Sequence, residues 1–270
     1  MSPEIHTRPG VGSTARIVQR QALRFARVFI DTPILIFITH GEKALSWAGG
    51  DCVLHAGEAL AIAGGQHFDV TNRVGPDGHY EAFWLVWEPA LLAAQVCDAP
   101  PIRDVLAIHP QGDAFANACL HARDAIAQPD VVPEGVARHR MAELLVWLAH
   151  HGGRFAEAPP PSFVRRVRGL LDAEPGRAWN TDQIAAAMAI SEATLRRRLA
   201  AEGTALSELL VDVRMTRAMQ LLQSTAMPVT RIAEAVGYES ASRFALRFRS
   251  RFGFAPTAIR GHRRAVAEPA

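Results

Sequence analysis

Cysteine is scarce in this sequence, which has only Cys52, Cys97 and Cys119. An odd number, at spacings that fit neither a zinc framework nor a disulfide ladder, excludes a stapled secreted scaffold and points to a reducing cytoplasm. Long apolar runs are also missing. Nothing approaches the roughly 18 apolar residues of a membrane span. The opening stretch, MSPEIHTRPGVGSTARIVQR, lacks the apolar core of an export signal. A cytoplasmic protein with no membrane partner is expected. Lysine is absent from residues 162–264, where the cationic load is carried by arginine.

What is present is an uneven distribution of charge. The chain has 270 residues, 49% of them apolar, and a formal net charge of only +2. Residues 1–161 hold 12 Lys+Arg against 17 Asp+Glu, whereas residues 162–264 hold 17 Arg against 9 Asp+Glu. Such a split suggests a basic module with an anionic partner, joined to a module with a different job.

The texture of the chain supports that division. After a polar arm, 1–24, come short β-rich runs: RVFID, ILIFITH, KALSWA, CVLHA, ALAIAGG, FDVTNR and YEAFWLVWE. Turn signals separate them at close spacing, which predicts a small β-barrel or sandwich over 25–112. Two amphipathic helices are expected within 113–151, and the Gly/Pro-rich GGRFAEAPPPS predicts a linker over 152–161. Residues 162–264 read as helices only, with a tail at 265–270. Asn180 followed by Gln183 has the form of a capping box, and Ser191 is placed to cap the next helix.

Within the helical part a pattern occurs twice. Ile184, Ala185, Met188, Ala189 and Ile190 precede a helix carrying Leu195 and Leu199 inward. Ile232, Ala233, Val236, Gly237 and Tyr238 precede one carrying Phe244 and Phe248 inward. Each copy has a small residue in mid-helix and another at the turn, as two helices crossing steeply through a tight turn require. The stretches QIAAAMAISEATLRRRLAAEG, RMTRAMQLLQST and IAEAVGYESASRFALRFRSRFGFAPTAIR resemble the DNA-binding domain of the AraC/XylS family of bacterial transcription regulators. The resemblance covers 162–264. It implies an α+β protein with an N-terminal cupin-like β-barrel, flanking helices and a C-terminal all-α domain with two helix-turn-helix motifs. It also implies a non-enzymatic regulator, without cofactor, whose partners are double-stranded promoter DNA and RNA polymerase. The segment from LLVWLAHHGG into RVRGLLDAEPGRAW looks most like the acid-resistance, GadX-like branch of that family.

The stretch AVGYESASRFALRFRSRFG interleaves phenylalanines at 244, 248 and 252 with arginines at 243, 247 and 251. On a helix these form two neighbouring stripes about 100° apart, one to anchor and one to face an anion. By the resemblance, Ala193, Arg196 and Arg197 reach base edges from the first recognition helix, and Ala241, Ser242 and Ala245 from the second. Arginine suits fork-like contact with guanine. Ser191, Arg198, Ser240, Arg243, Arg247 and Arg249 are phosphate contacts. Arg214, on the linking helix, is expected to pair with an acid such as Glu208 or Glu234.

In the first module GEALAIAGGQHFDV resembles the strand–turn–strand of a cupin-like barrel. The His-x-His of a cupin metal site is missing and His55 and His67 lie twelve apart, so no metal is expected. Trp47, His67, Tyr80 and Trp84 are candidates for the lining of a pocket for a small, partly apolar effector. Strand alternation puts Phe83 and Trp87 on one face and Trp84 on the other. Met141, Leu144, Leu145 and Leu148 make an apolar stripe that either pairs with a second copy in a homodimer or packs against the sheet. Two other functional classes are a nonspecific architectural DNA-binding protein and a cupin-type metalloenzyme with a helical accessory domain.

Overall fold

The computed structural model describes residues 5–156, 162–225 and 227–260. The chain divides into a sheet unit within Met1–Glu157 and a helical unit within Ala158–Ala258. Among the described residues, no helix is long and apolar enough to cross a membrane.

The sheet unit contains β1 (Ile5–Arg8), β2 (Gly12–Gln19), β3 (Leu23–Ile30), β4 (Ile34–His40), β5 (Glu42–Trp47), β6 (Gly50–His55), β7 (Ala59–Ile62), β8 (Gln66–Arg73), β9 (Tyr80–Trp87) and β10 (Val105–Ile108). Three helices accompany them: α1 (Pro89–Ala93), α2 (Ala114–Ala127) and α3 (Glu134–His150). The strands form two open antiparallel sheets, ordered β1-β2-β9-β4-β7-β10 and β3-β8-β5-β6. The expected closed barrel is therefore not formed. Closure needs the outer strands to pair, but the chain changes sheet at tight turns after β2, β4 and β7. At one of these, Gly41 has φ +80°, and a Cβ there would lie 2.5 Å from the Arg73 carbonyl oxygen.

Two boundaries read from the sequence also change. The described part of the expected arm carries β1 and β2, the latter paired along its whole length with β9. Of the expected linker, residues 152–156 belong to the sheet unit, and 157–161 lie outside the described residues, as does the tail. Arg154 bridges to Pro101, and Phe155 is buried 5.3 Å from Trp87, ring to ring.

The six-stranded sheet is buried on both faces, and alternation sorts its side chains. Leu35, Phe37, Ala59, Ala61, Phe83, Leu85 and Trp87 pack on one face against α2 and α3 in a single apolar cluster. Trp87 Nε1 donates to the Met141 carbonyl oxygen at 2.8 Å and fixes α3 to the sheet. Met141, Leu144, Leu145 and Leu148 all lie within this cluster at 3% exposure or less. They are consequently not available to a second copy, and the homodimer role expected of them is replaced by packing on the sheet.

On the other face Tyr80, Ala82 and Trp84 alternate toward the four-stranded sheet, as Lys43, Leu45 and Trp47 of β5 do from the opposite side. The expected pocket set divides here. His67 is exposed and points away, alternating with buried Phe68 and Val70, and its ring lies 4.9 Å from Phe29. Between the sheets lies a polar cluster centred on Lys43. Its Nζ donates to Asn72 Oδ1 at 2.6 Å and lies 5.4 Å from the Tyr80 ring centroid. Asn72 Nδ2 in turn donates to Gln19 Oε1 at 3.1 Å. The Tyr80 hydroxyl, Gln19 Nε2 and Trp47 Nε1 are buried without a hydrogen-bond partner in the structure.

Burial holds the Lys43 ammonium down to about 7, from the ordinary lysine value of 10.5. The unfolded chain consequently binds more protons than the fold above that pH, so stability should rise with pH from about 7 to about 8.5. Above that range, burial has pushed up the Cys119 thiol and the Tyr80 hydroxyl, and these work in the opposite direction. Urea unfolding followed by tryptophan fluorescence should show the rise, and Lys43→Met should flatten it. An unaltered slope in the variant would exclude Lys43 as its source.

Candidate nucleic-acid interface

The helical unit runs α4 (Phe163–Ala173), α5 (Thr181–Ala187), α6 (Glu192–Ala201), α7 (Leu206–Ser224), α8 (Val229–Ala235) and α9 (Ala241–Phe252). Local chemistry sets several of these ends. Asn180 and Gln183 form the expected capping box at α5. The Ser191 Oγ accepts from Thr194 N–H at 3.2 Å, and the Ser240 Oγ accepts from Arg243 N–H at 3.4 Å. Both serines thus end the orphaned first turn of a helix.

The turns between α5 and α6 and between α8 and α9 are built alike. Ile190 N–H reaches back to the Ala185 carbonyl, and Ala189 N–H to that of Ala186, each at 3.0 Å. Tyr238 N–H and Gly237 N–H repeat the pattern on Ala233 and Glu234, each at 2.9 Å. This double return requires a left-handed residue after the helix. Gly237 meets the requirement at φ +80°, and Ala189 adopts the same region at φ 54°. Around the first turn, Ile184, Leu195 and Leu199 pack with Val167, Leu171, Leu209 and Val213. Around the second, Phe244, Phe248 and Phe252 form a buried aromatic stack with centroid spacings of 5.6 and 4.6 Å.

A single carboxylate joins the two halves. Asp212, on α7, receives Arg168 of α4 through both terminal nitrogens, Nη1 at 2.8 Å. On its other oxygen it receives Arg251 of α9, from Nε at 3.2 Å and Nη2 at 2.8 Å. Arg168 is only 7% exposed. Arg251 was expected in the anion-facing stripe but turns inward to this pair, because its position borders the phenylalanine stripe.

Arg214 is also differently placed. It donates to the carbonyl oxygens of Pro175 at 3.0 Å and Arg177 at 2.9 Å, and not to an acid. Glu208 is occupied by the Ala205 N–H and Glu234 by Arg231 at 2.8 Å, so neither of the expected partners is available. Burial lowers the Arg214 pKa, while Tyr238 opposes that shift. A Cβ on Gly237 would approach the Arg214 guanidinium to 2.6 Å and the Gly176 carbonyl oxygen to 2.9 Å.

The faces of α6 and α9 opposite these cores are exposed. On α6, Ala193, Arg196, Arg197 and Arg198 all face solvent. Arg196 pairs with Glu192 at 3.0 Å, and Arg198 lies 5.3 Å from the Phe163 ring centroid. An exposed pair one helical turn apart is worth only about 0.3–0.5 kcal/mol, so Arg196 is readily released to a stronger partner. On α9, Ala241, Ser242, Arg243, Arg247 and Arg249 are exposed and Ala245 is half-buried. Burial raises the Tyr238 hydroxyl, against the pull of the Arg214 and Arg247 guanidiniums. Among the described residues the side chains of Arg197, Arg243 and Arg249 make no ion pair.

Leu246 went unremarked in the sequence. It is 71% exposed, among the serine and arginines of α9. The periodicity contains the signal: two positions from Phe244 and Phe248, Leu246 points about 200° from the buried stripe.

Gly237→Ala should destabilise the helical unit by roughly 1–3 kcal/mol, from left-handed strain and displacement of Arg214. Ala189→Gly should be neutral or stabilising by up to about 1 kcal/mol. Equal effects in urea titrations would show that the two turns are not distinguished by Arg214. Asp212→Ala leaves buried Arg168 without its counter-charge and should cost about 3 kcal/mol. A loss below about 1 kcal/mol would mean that the halves are held by apolar packing alone.

Residues 184–262 match the sequence model of a helix-turn-helix domain family. Three curated Escherichia coli proteins are similar over this part. The transcriptional regulator GadX is 34% identical over 97 residues, which cover 36% of this chain and 35% of GadX. The transcriptional regulator YdeO is 35% identical over 94 residues, covering 35% of this chain and 37% of YdeO. The dual regulator Rns is 34% identical over 94 residues, covering 35% of this chain and 36% of Rns. The match thus spans about a third of the length of these relatives. Similarity of fold extends further. An apo ToxT variant from Vibrio cholerae aligns at a TM-score of 0.68 and 13% identity, over 93% of this chain and 97% of ToxT. Wild-type ToxT bound to an unsaturated fatty acid aligns at 0.64 and 15% identity, over 90% of this chain and 92% of that one. At such identities the likeness is one of fold alone. Residues 184–262 of the helical unit thus match a helix-turn-helix domain family, and this part of the chain is similar to transcription regulators of the AraC/XylS type.

Proposed function

We propose that this protein is a sequence-specific transcription regulator that binds promoter DNA through α6 and α9, two helix-turn-helix recognition helices. They would enter successive major-groove segments one helical turn, roughly 34 Å, apart. The observation that carries this reading is the pairing of two serine-capped helices with arginine-bearing, exposed faces, tied into one unit by Asp212.

In this reading Arg196 and Arg197 read guanine from α6, beside Ala193. Exchanging the weak Glu192 pair for a bidentate guanine contact is favourable, since that contact discriminates by about 1–3 kcal/mol. On α9, Ala241, Ser242 and Ala245 allow close backbone approach, and Leu246 meets a thymine methyl group. Ser191, Arg198, Ser240, Arg243, Arg247 and Arg249 hold phosphates and fix register without reading sequence. RNA polymerase is the protein partner expected at a promoter.

The sheet unit is the sensing module in this proposal. ToxT was solved with an unsaturated fatty acid. Here the unpartnered polar atoms of Tyr80 and Gln19 lie close to Lys43, the only lysine of the chain, and that of Trp47 lies further along β5. A small effector with a polar head and an apolar body would satisfy them.

Selection from a random duplex pool at stated salt tests the DNA reading. An asymmetric motif spanning about two helical turns should be enriched. Arg197→Ala should relax preference at a single guanine, whereas Arg243→Ala should weaken all duplexes alike and reduce the salt slope by about 0.9. Absence of enrichment would leave only an architectural, phosphate-binding role.

A further inference from the structure

Two histidines and an aspartate from separate parts of the sheet unit converge at one edge of the sandwich. The donor atoms of His40, Asp77 and His79 all lie within 4.8 Å of one another. His79 Nδ1 is 3.0 Å from Asp77 Oδ2, and the His40 and His79 rings face each other with centroids 4.6 Å apart. We propose that His40, Asp77 and His79 form a binding site for a divalent transition metal of the zinc class.

The backbone on both sides of the cluster is fixed. His40 ends β4 and His79 immediately precedes β9, and these two strands are paired, with His40 opposite Glu81. Asp77 sits in a turn closed by Gly75 N–H to the His79 carbonyl at 2.9 Å and by Gly78 N–H to that of Gly75 at 3.0 Å. The Gly41 backbone packs against the Arg73 carbonyl and the Gly75 nitrogen, which presses the end of β4 onto that turn. The scaffold is therefore rigid while the ligating side chains keep rotamer freedom, His40 and Asp77 being exposed and His79 half-buried. Tetrahedral bonds of about 2.1 Å place donors about 3.4 Å apart. The present separations, all within 4.8 Å, are at most about 1.4 Å longer than that spacing.

The donor set selects the ion. Two imidazoles and one carboxylate suit Zn²⁺, Co²⁺ or Ni²⁺, and do not suit Mg²⁺ or Ca²⁺, which take oxygen ligands throughout. Nearby charge is compatible with a cation. Glu81, opposite His40, is already paired with Arg16, at 2.7 and 2.6 Å. Three protein ligands leave a fourth position open to water or to a small exogenous ligand. The inference stands independently of the DNA-binding reading, because every group in it belongs to the sheet unit.

Isothermal titration of tag-free, full-length protein with ZnCl₂ tests it, together with the visible absorption bands of added Co²⁺. One ion per chain is expected, with Co²⁺ bands of tetrahedral intensity. His40→Ala and His79→Ala should each weaken binding by more than the roughly 10–100-fold that loss of an outer-shell contact costs. His55→Ala, on β6, and His150→Ala, on α3 beside His151, should bind as the parent does. Circular dichroism of each variant separates loss of the site from loss of the fold. No binding by the parent protein, or binding lost with His150→Ala and retained with His40→Ala and His79→Ala, would overturn the assignment.

Discussion

The helical unit depends on the carboxylate of Asp212. Two helix pairs, each with its own apolar core, meet at α7 and where Gly176 approaches Ala235 and Gly237, and a helix that merely passes between two cores leaves their relative rotation soft. Asp212 removes that freedom by receiving α4 on one oxygen and α9 on the other. The arrangement is strong because both guanidiniums are largely buried, so any slip that broke one pair would strand a charge in a low-dielectric environment. Arg214, two residues further along α7, adds a second tie to the carbonyls at Pro175 and Arg177. In the proposed two-helix reading, this fixed spacing matters more than additional contact residues.

That constraint explains why the two turns, identical in hydrogen bonding, differ in residue. Next to Gly237 the Arg214 guanidinium occupies the space a Cβ would need, so glycine is required by packing as well as by φ. The φ +54° at Ala189 falls in the same left-handed region, where a Cβ is tolerated at some cost. The repeat therefore specifies a backbone path, and the side chains at each copy answer to their own neighbours.

The sheet unit divides its labour by face. One side of the larger sheet is a plain apolar core closed by α2 and α3. The inter-sheet side carries the chain's only lysine, buried and donating to Asn72.

Much of this was legible in the sequence. Seven of the strands, the caps at Asn180, Ser191 and Ser240, the inward phenylalanines and the exposed arginines all follow from periods of 2 or 3.6 and from turn chemistry, which are local properties. The strands β1, β2 and β10 were not legible, since their pairing partners lie up to about 80 residues away and their own composition is polar or short. Nor were the fates of Arg214 and Arg251. Which acceptor a guanidinium finds depends on helix packing, and the nearest acids in sequence were already bonded elsewhere. The His40, Asp77 and His79 cluster follows the same rule: a pair two residues apart in a turn carries no signal until strand pairing brings the third group beside it. The sequence by itself determined most of the elements, their buried faces and the helix-turn-helix character of the helical unit. Only the tertiary structure decided the open sheets, the clasp at Asp212 and the convergent side chains, because each of these is a contact between segments that do not know of one another along the chain.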